Sequence, residues 1–306
     1  MARTSPGQGR NPPEVGRHAE ARAALPDRTM SLDDEAIARA AVTAMRDELQ
    51  AYPKPGLVSP VDSGAHADMD FDLMCRSADS LLSPFVALAA AGRAGHAFDQ
   101  SLVPLGIEAE RGMLAITGGV NTHRGAIFSV GLLVAAIARA QALASAPSPA
   151  AIRAALSDTW GDALAAHAAR SDEASHGGLV RRRTGRDGAR REAARAFPGV
   201  FETGLPAYRH AREAGLDDNS AGVQTLFALM AAIDDTTVLY RGGLEAGSFV
   251  RQSAAAFLAH GGCRQPDWFK KAEALHRAFI ARNLSAGGCA DLLACTLLVA
   301  RCCGDA

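Results

Sequence analysis

Five short stretches of the chain bring together residue types that bind anions and move protons, each coupling glycine to charged or hydrogen-bonding side chains. The first reads Tyr52-Pro53-Lys54-Pro55-Gly56-Leu57-Val58 and continues Asp62-Ser63-Gly64-Ala65-His66-Ala67-Asp68-Met69-Asp70. Prolines on both sides of Lys54 fix φ, so its ammonium is expected on a stiffened backbone where it can meet a phosphate. Asp62 and Asp68 offer carboxylates to a hard cation such as Mg²⁺, which takes a few carboxylates together with substrate oxygens. Asp70 fits the N-cap of the helix that follows. In the second stretch, Thr117-Gly118-Gly119-Val120-Asn121-Thr122-His123-Arg124-Gly125-Ala126-Ile127-Phe128, adjacent glycines permit close backbone approach. A helix starting near Thr122 would point free N–H groups back at that loop, making Gly118, Gly119, Asn121 and Thr122 a cradle for a polyphosphate. His123 adds a proton donor and Arg124 a bidentate fork. The spacing matches neither a P-loop nor GxGxxG, which sets aside the Walker and dinucleotide readings.

The third stretch, Ser175-His176-Gly177-Gly178 followed by Arg181 to Glu192, is cationic and glycine-rich, and as a loop it could fold over an anionic ligand. Its Arg181 to Arg183 run reads as solvated charge, while His176 and Arg190 read as ligand contacts. The fourth, Asp234 to Gly243, places paired aspartates at a helix end, where the macrodipole disfavours them unless something positive faces them. In the fifth, Ser285 to Leu293, a helix start at Gly287 and Gly288 supplies free N–H groups, and Asp291 sits one turn in, at a core-facing edge where it needs a partner. Asp234 and Asp291 join Asp62 and Asp68 as metal candidates.

The elements that position these stretches are helical. Ile37, Ala40, Ala41, Ala44, Met45 and Leu49 form one stripe behind an expected N-cap at Ser31, with Asp34 as its capping partner. Similar periodicity predicts helices near 71–92, 102–116, 122–144, 149–169, 187–196, 205–214, 217–233, 247–259, 267–282 and 287–302. With 5% aromatics and the Val and Ile residues set inside Ala/Leu-rich periodic runs, strand signals are nearly absent. The expected fold is therefore all-α, a single multi-helix domain over 31–306 with glycine-rich active-site loops, preceded by a disordered tail over 1–30.

Composition narrows the partners. The chain has 306 residues, 32 basic against 33 acidic side chains and 48% hydrophobic residues, a balance that argues against coating a nucleic acid and is enough for a sizeable core. The six cysteines show no CxxC pair and no zinc-like spacing, so they read as reduced core thiols. No signal-length apolar stretch opens the chain, and no run of about 18 apolar residues lacks a charge. The expectation is a soluble cytoplasmic protein with no membrane contact.

The five stretches, in this order, resemble the triphosphoribosyl-dephospho-CoA synthase family. The likeness runs from about 35 to 302 and is carried by Pro53-Lys54-Pro55-Gly56-Leu57-Val58, Gly64-Ala65-His66, Asp68-Met69, Thr117 to Phe128, Gly188-Ala189-Arg190 with Glu192, Asp235-Thr236 with Arg241-Gly242-Gly243, and Gly287-Gly288 with Ala290-Asp291-Leu292-Leu293-Ala294. Gly56-Leu57-Val58-Ser59-Pro60-Val61-Asp62-Ser63-Gly64 is more similar to the malonate decarboxylase branch than to the citrate lyase branch. Thr237 and Ala286 depart from the Asn and Pro common in the family.

The resemblance implies transfer of the 5-triphosphoribosyl group of ATP to the 2′-hydroxyl of 3′-dephospho-CoA through an α-linkage, with release of adenine. The product would pass to a phosphoribosyl-dephospho-CoA transferase acting on an acyl carrier protein. Substitution at the ribose C1 then asks for Mg²⁺, brought as Mg-ATP, with Lys54, Arg124, Arg190 or Arg241 on the triphosphate. It asks for His123 or His66 as acid toward adenine, and for one of Asp62, Asp68, Asp235 and Asp291 as base or as partner of the cationic sugar.

Two other readings compete. An all-α Mg²⁺-dependent diphosphate enzyme of the prenyl synthase kind would carry DDxxD, but Asp33-Asp34, Asp217-Asp218 and Asp234-Asp235 each lack the fifth-position aspartate. A non-catalytic nucleotide-binding helper of acyl carrier protein maturation would bind ATP without forming adenine.

Overall fold

The helix signals become thirteen α-helical elements, and no strand occurs among the described residues, in a computed structural model that describes residues 32–144, 147–170, 176–186 and 188–304. The tail expected to be disordered, 1–30, lies outside the described residues, as does Ser31. In order the helices are α1 (Asp34–Gln50), α2 (Phe71–Ser80), α3 (Leu82–Ala94), α4 (Val103–Ile116), α5 (Arg124–Leu143), α6 (Pro149–Ala169), α7 (His176–Thr184), α8 (Ala189–Ala194), α9 (Leu205–Glu213), α10 (Asp218–Ala232), α11 (Thr236–Ala259), α12 (Trp268–Ala281) and α13 (Gly287–Cys302). π-helical turns precede α4 (Phe98–Leu102) and α9 (Gly199–Gly204).

Side-chain caps set several starts. Asp33, rather than Ser31, caps α1 by accepting from Ala36 N at 2.7 Å, and Asp70 caps α2 through Leu73 N at 2.8 Å. Each such cap stabilises its helix by about 0.5–2 kcal/mol. The helix expected over 71–92 is divided at Leu81, because Pro84 has no N–H to give the Ser80 carbonyl and the chain tightens into a Leu81 N to Ala78 O turn of 3.1 Å. The arginine-rich stretch expected as a loop is helix α7, which Gly185 ends at φ 68°. The fourth stretch is likewise absorbed: α11 starts at Thr236 and kinks at Gly243, where φ is 67° and ψ −163°.

α5 is the central strut, buried along most of its length and packed by α1, α3, α6 and α13. Its crossing with α3 is close because Gly92 has no side chain; a β-carbon there would stand 2.2 Å from the Ala135 carbonyl oxygen. Two stretches, 71–94 and 124–143, are long and apolar enough by length and composition to cross a membrane. The second has 78% of its apolar window buried inside the protein, and the first is the broken pair α2–α3. One continuous apolar core runs from Ile37 on α1 to Cys302 on α13, and Cys263, Cys289, Cys295 and Cys302 are buried free thiols within it.

Candidate functional site

α5, α6, α7 and α8 frame a cleft of about 990 Å³, floored by the start of α5 and closed on one side by α4. Arg124, Phe128 and Leu132 line it from one face of α5, each a turn beyond the last. Arg170 follows α6, Arg181 and Arg182 come from α7, and Arg190 and Arg191 from α8. With Arg124 they bring six guanidinium groups to the lining, where Arg124 pairs with Glu110 and Arg170 with Asp99 at 3.5 Å. Arg124 Nε donates to Glu110 Oε1 at 2.6 Å, which holds the fork at the rim. Part of the wall is apolar, through Phe98, Leu102, Val103 and Phe128, with His167 among them.

Of the predicted second stretch, only Asn121 and Arg124 belong to this wall, with Gly125 between the helix start and the cleft. Asn121 Oδ1 accepts from Arg124 N at 3.3 Å and so caps α5. Gly118 and Gly119 form no cradle: their positive φ values, 64° and 91°, let Gly119 N close α4 on the Leu114 carbonyl at 2.8 Å, and both lie exposed outside the cleft. Thr122 faces inward, its Oγ1 2.6 Å from Ser77 Oγ. Arg190 is among the lining residues, and His176 opens α7 beside the cleft residues Gly177 and Gly178, its side chain lying outside the described residues.

Lys54 is not presented to an anion. It is 1% exposed, and its Nζ donates to Glu48 Oε1 at 2.5 Å and to the Glu48 carbonyl at 2.6 Å. The flanking prolines do hold the segment, but they aim the ammonium into the interior at the end of α1. His123 lies in the same interior, its Nδ1 2.8 Å from Ser77 Oγ; burial, then the Lys54 charge, pushes its pKa down to about 4. It is therefore a neutral imidazole at neutral pH, not the imidazolium acid expected.

Two further acids complete this interior cluster. Asp235 is 4% exposed and accepts from Thr237 N at 2.8 Å, Val238 N at 3.2 Å and Cys289 N at 2.8 Å. It staples the starts of α11 and α13 together, with Gly288 packed so that a β-carbon there would stand 3.1 Å from Asp235 Oδ2. Burial raises its pKa against those three backbone bonds. Its oxygens are taken by N–H groups, so it positions helices and does not serve as a free base; Gly287 and Gly288 likewise serve this junction. Asp291 differs. Burial, then Glu48, then Asp235 raise its pKa well above the ordinary range, yet solvent still reaches the residue. Its Oδ2 sits where a β-carbon on Gly125 would be only 2.0 Å away, so the missing side chain of Gly125 sets the carboxylate against the positive start of α5 and the cleft floor.

The first loop is pinned from behind by a residue that the sequence reading does not single out. His276, 1% exposed on α12, places Nδ1 2.6 Å from the Lys54 carbonyl and Nε2 3.0 Å from Asp62 Oδ1. Arg241 clips the same loop to the segment before α13, donating to Ala65 O at 2.8 Å and Asn283 Oδ1 at 3.2 Å, so its fork is used within the protein. His66 stands beside it, Nε2 2.9 Å from Ser285 Oγ and Nδ1 3.3 Å from Arg241 Nη2, with Asp68 at 3.8 Å. Burial, then Arg241, lowers the His66 pKa, and Asp68 opposes the shift.

The four proposed metal ligands do not converge. Asp62 faces His276, Asp68 lies by His66, and Asp291 sits against Gly125. Asp234 is bound by Arg186 at 2.9 Å and by Arg251, which supplies the positive partner its helix-end position required. Among the described residues no group of three or more His, Cys, Asp or Glu side chains is placed to hold a metal ion.

The sequence reading missed most of the cleft wall: Phe98, Phe128, His167, Arg170, Arg181, Arg182 and Arg191. Arg181 and Arg182, read as solvated charge, line it from α7, and Arg181 also donates to the Ala168 carbonyl at 2.9 Å. The usable signal is Arg124, Phe128 and Leu132 at intervals of four, a face that α5 shares between the cleft and the core.

The profile of the ATP:dephospho-CoA triphosphoribosyl transferase family matches residues 34–305. The chain is 43% identical over 272 residues to an Azotobacter vinelandii protein named "Probable 2-(5''-triphosphoribosyl)-3'-dephosphocoenzyme-A synthase", covering 87% of this chain and 91% of that one. Proteins of the same name from Pseudomonas putida (42% over 274 residues, 88% and 95% covered) and Acinetobacter calcoaceticus (38% over 257 residues, 84% and 87% covered) are similar along the same length. No solved structure matches the chain.

Proposed function

The chain belongs to the ATP:dephospho-CoA triphosphoribosyl transferase family, and from that premise we propose that it transfers the 5-triphosphoribosyl group of ATP to the 2′-hydroxyl of 3′-dephospho-CoA and releases adenine. The observation that carries this reading is the cleft: six guanidinium groups and an apolar, aromatic wall lining one continuous space. At about 990 Å³ it stands at the top of the range of about 300–1,000 Å³ common for a small-molecule site, as suits a reaction that joins two nucleotides. The arginines would neutralise the triphosphate of ATP and the diphosphate of dephospho-CoA through charge-assisted hydrogen bonds.

Chemistry at the ribose C1 needs a group that accepts the proton of the attacking hydroxyl. Asp291 suits this role, since a carboxylate with raised proton affinity directly behind Gly125 of the cleft wall is a stronger base than one in water. A protein-held Mg²⁺ does not suit the residues, because the candidate carboxylates are separately engaged; magnesium in our reading arrives on the phosphates of ATP as part of the substrate. We place the chain in the malonate decarboxylase branch on the wording of Gly56 to Gly64, with its product taken up by a transferase acting on an acyl carrier protein.

The test is incubation with ATP, Mg²⁺ and dephospho-CoA, followed by chromatography for adenine and mass spectrometry of the coenzyme product. Adenine in step with a triphosphoribosyl adduct of dephospho-CoA is expected. ATP binding without adenine would replace the transferase reading with that of a binding helper.

A further inference from the structure

Part of the cleft wall is built around an aromatic cluster. The His167 ring stacks on Phe128 at 5.9 Å between centroids and 21° between planes, and Phe98 meets it edge-on at 5.3 Å and 76°. Three elements bring these rings together: the last turn of α6, the second turn of α5 and the π-helical turn before α4. Trp160 fixes α6 against that region by donating from Nε1 to the His96 carbonyl at 2.9 Å. Along α5, Arg124 and Phe128 stand one turn, about 6 Å, apart on the cleft wall, and Arg170 and Arg181 lie near the same rings, Arg170 paired with Asp99 and Arg181 on the Ala168 carbonyl. A nucleoside triphosphate likewise joins a flat π-system to a polyanion. Among the described residues of the cleft wall His167 is the one histidine.

Resting on the reaction proposed above, we infer that Phe98, Phe128 and His167 form the subsite for the purine ring of ATP, and that His167 gives the departing adenine its proton. The bond between C1 of the ribose and N9 of the purine breaks with its electron pair going to the purine. The imidazolium of His167 protonates a purine ring nitrogen, so that neutral adenine leaves. The 2′-hydroxyl oxygen of dephospho-CoA forms the new bond to C1, and its proton goes to the base, Asp291. Proton donation and uptake balance, and no other reagent is consumed.

The test uses two substrates. In 7-methyl-ATP the purine already carries a fixed positive charge and leaves as neutral 7-methyladenine without a proton. His167→Gln is expected to slow adenine release from ATP by about 10²- to 10⁴-fold while leaving the 7-methyl-ATP rate nearly unchanged. His167→Phe keeps the stacking and removes the proton, so free adenine should still bind to it in calorimetry while turnover of ATP is lost. Phe128→Ala should weaken adenine binding by about five- to hundred-fold. Equal loss with both substrates, or no loss with ATP, overturns the assignment. If the wild-type chain forms no adenine yet binds it in a way that depends on Phe128, the reaction fails and the purine subsite stands. If it turns over while adenine binding ignores all three substitutions, the subsite fails and the reaction stands.

Discussion

Asp291→Asn should make the protein more stable and less active at once. In the fold, burial, Glu48 and Asp235 all favour the neutral acid, so the folded chain holds that proton more tightly than the unfolded chain, in which an aspartate titrates near about 3.9. Below that pH both states are protonated and the residue has no electrostatic cost. As pH rises the unfolded chain gains by ionising while the folded chain resists, and stability falls until the pH passes the folded value. Each unit of separation traversed amounts to about 1.4 kcal/mol. In a domain of this size 1 kcal/mol moves Tm by about 2–4 °C. The asparagine is neutral throughout, so its Tm advantage over wild type should be near zero at about pH 4, grow as pH rises, and level off once Asp291 ionises in the fold. In the same preparations adenine release should fall by about 10²- to 10⁴-fold, as for loss of a general base. The measurement is a series of thermal melts at several pH values paired with the chromatographic assay. An asparagine variant that is less stable than wild type at pH 8, or one that keeps wild-type turnover, refutes the placement of Asp291 as a strained base at the cleft floor.

Lys54→Met should act on stability, not on the KM for ATP: it leaves Glu48 as an uncompensated buried charge, a loss of about 3–5 kcal/mol in urea denaturation, and the double variant with Glu48→Gln should recover much of it. Arg190→Ala should raise the KM for ATP by about ten- to hundred-fold with the fold intact, the loss of a charged hydrogen bond to phosphate; an unchanged KM would remove α8 from the triphosphate subsite. His123 has a folded pKa of about 4 against about 6.5 in the unfolded chain, so its contribution is complete above about pH 6.5 and is lost as pH falls toward 4, in all about 3 kcal/mol. His123→Gln should accordingly flatten the acid limb of the stability profile, and an unaltered limb in denaturation at pH 7.5 and 5 would contradict its burial as a neutral ring.

The helices were legible because their signals are local. Asp70 before Phe71 and Pro149 after Ser148 declare their ends by capping chemistry alone, and α5 and α13 by apolar content. Where reading failed, the deciding partner was distant in sequence. Nothing near Lys54 says that it would turn back on Glu48 instead of outward, and the two prolines support either direction. Gly118 and Gly119 read equally well as a phosphate cradle or a helix stop, and the Leu114 carbonyl decides for the stop. The α7 arginines looked solvated because a run of like charge has no periodic contrast; only the packing of α7 against α11, near α8, shows which of them face the cleft.

What the five stretches share is thus not one surface but two layers meeting at the start of α5. Behind Gly125 lie the acids and their supports, Glu48 on Lys54, Asp235 on three N–H groups, and His123 on Ser77. In front of it lie the arginines. Glu110 stands in the cleft wall on Arg124, and Asp291 comes up behind Gly125 into the gap left by a missing β-carbon. Positive charge growing on a ribose between the two layers would meet Asp291 while its phosphates stay gripped by arginine. In the reaction proposed above that arrangement would stabilise a cationic sugar more than its neutral precursor, and this difference, not binding alone, is what lowers a barrier. The motifs carried by α11 and α13 would then act on the reaction from the rear, by fixing where one carboxylate stands.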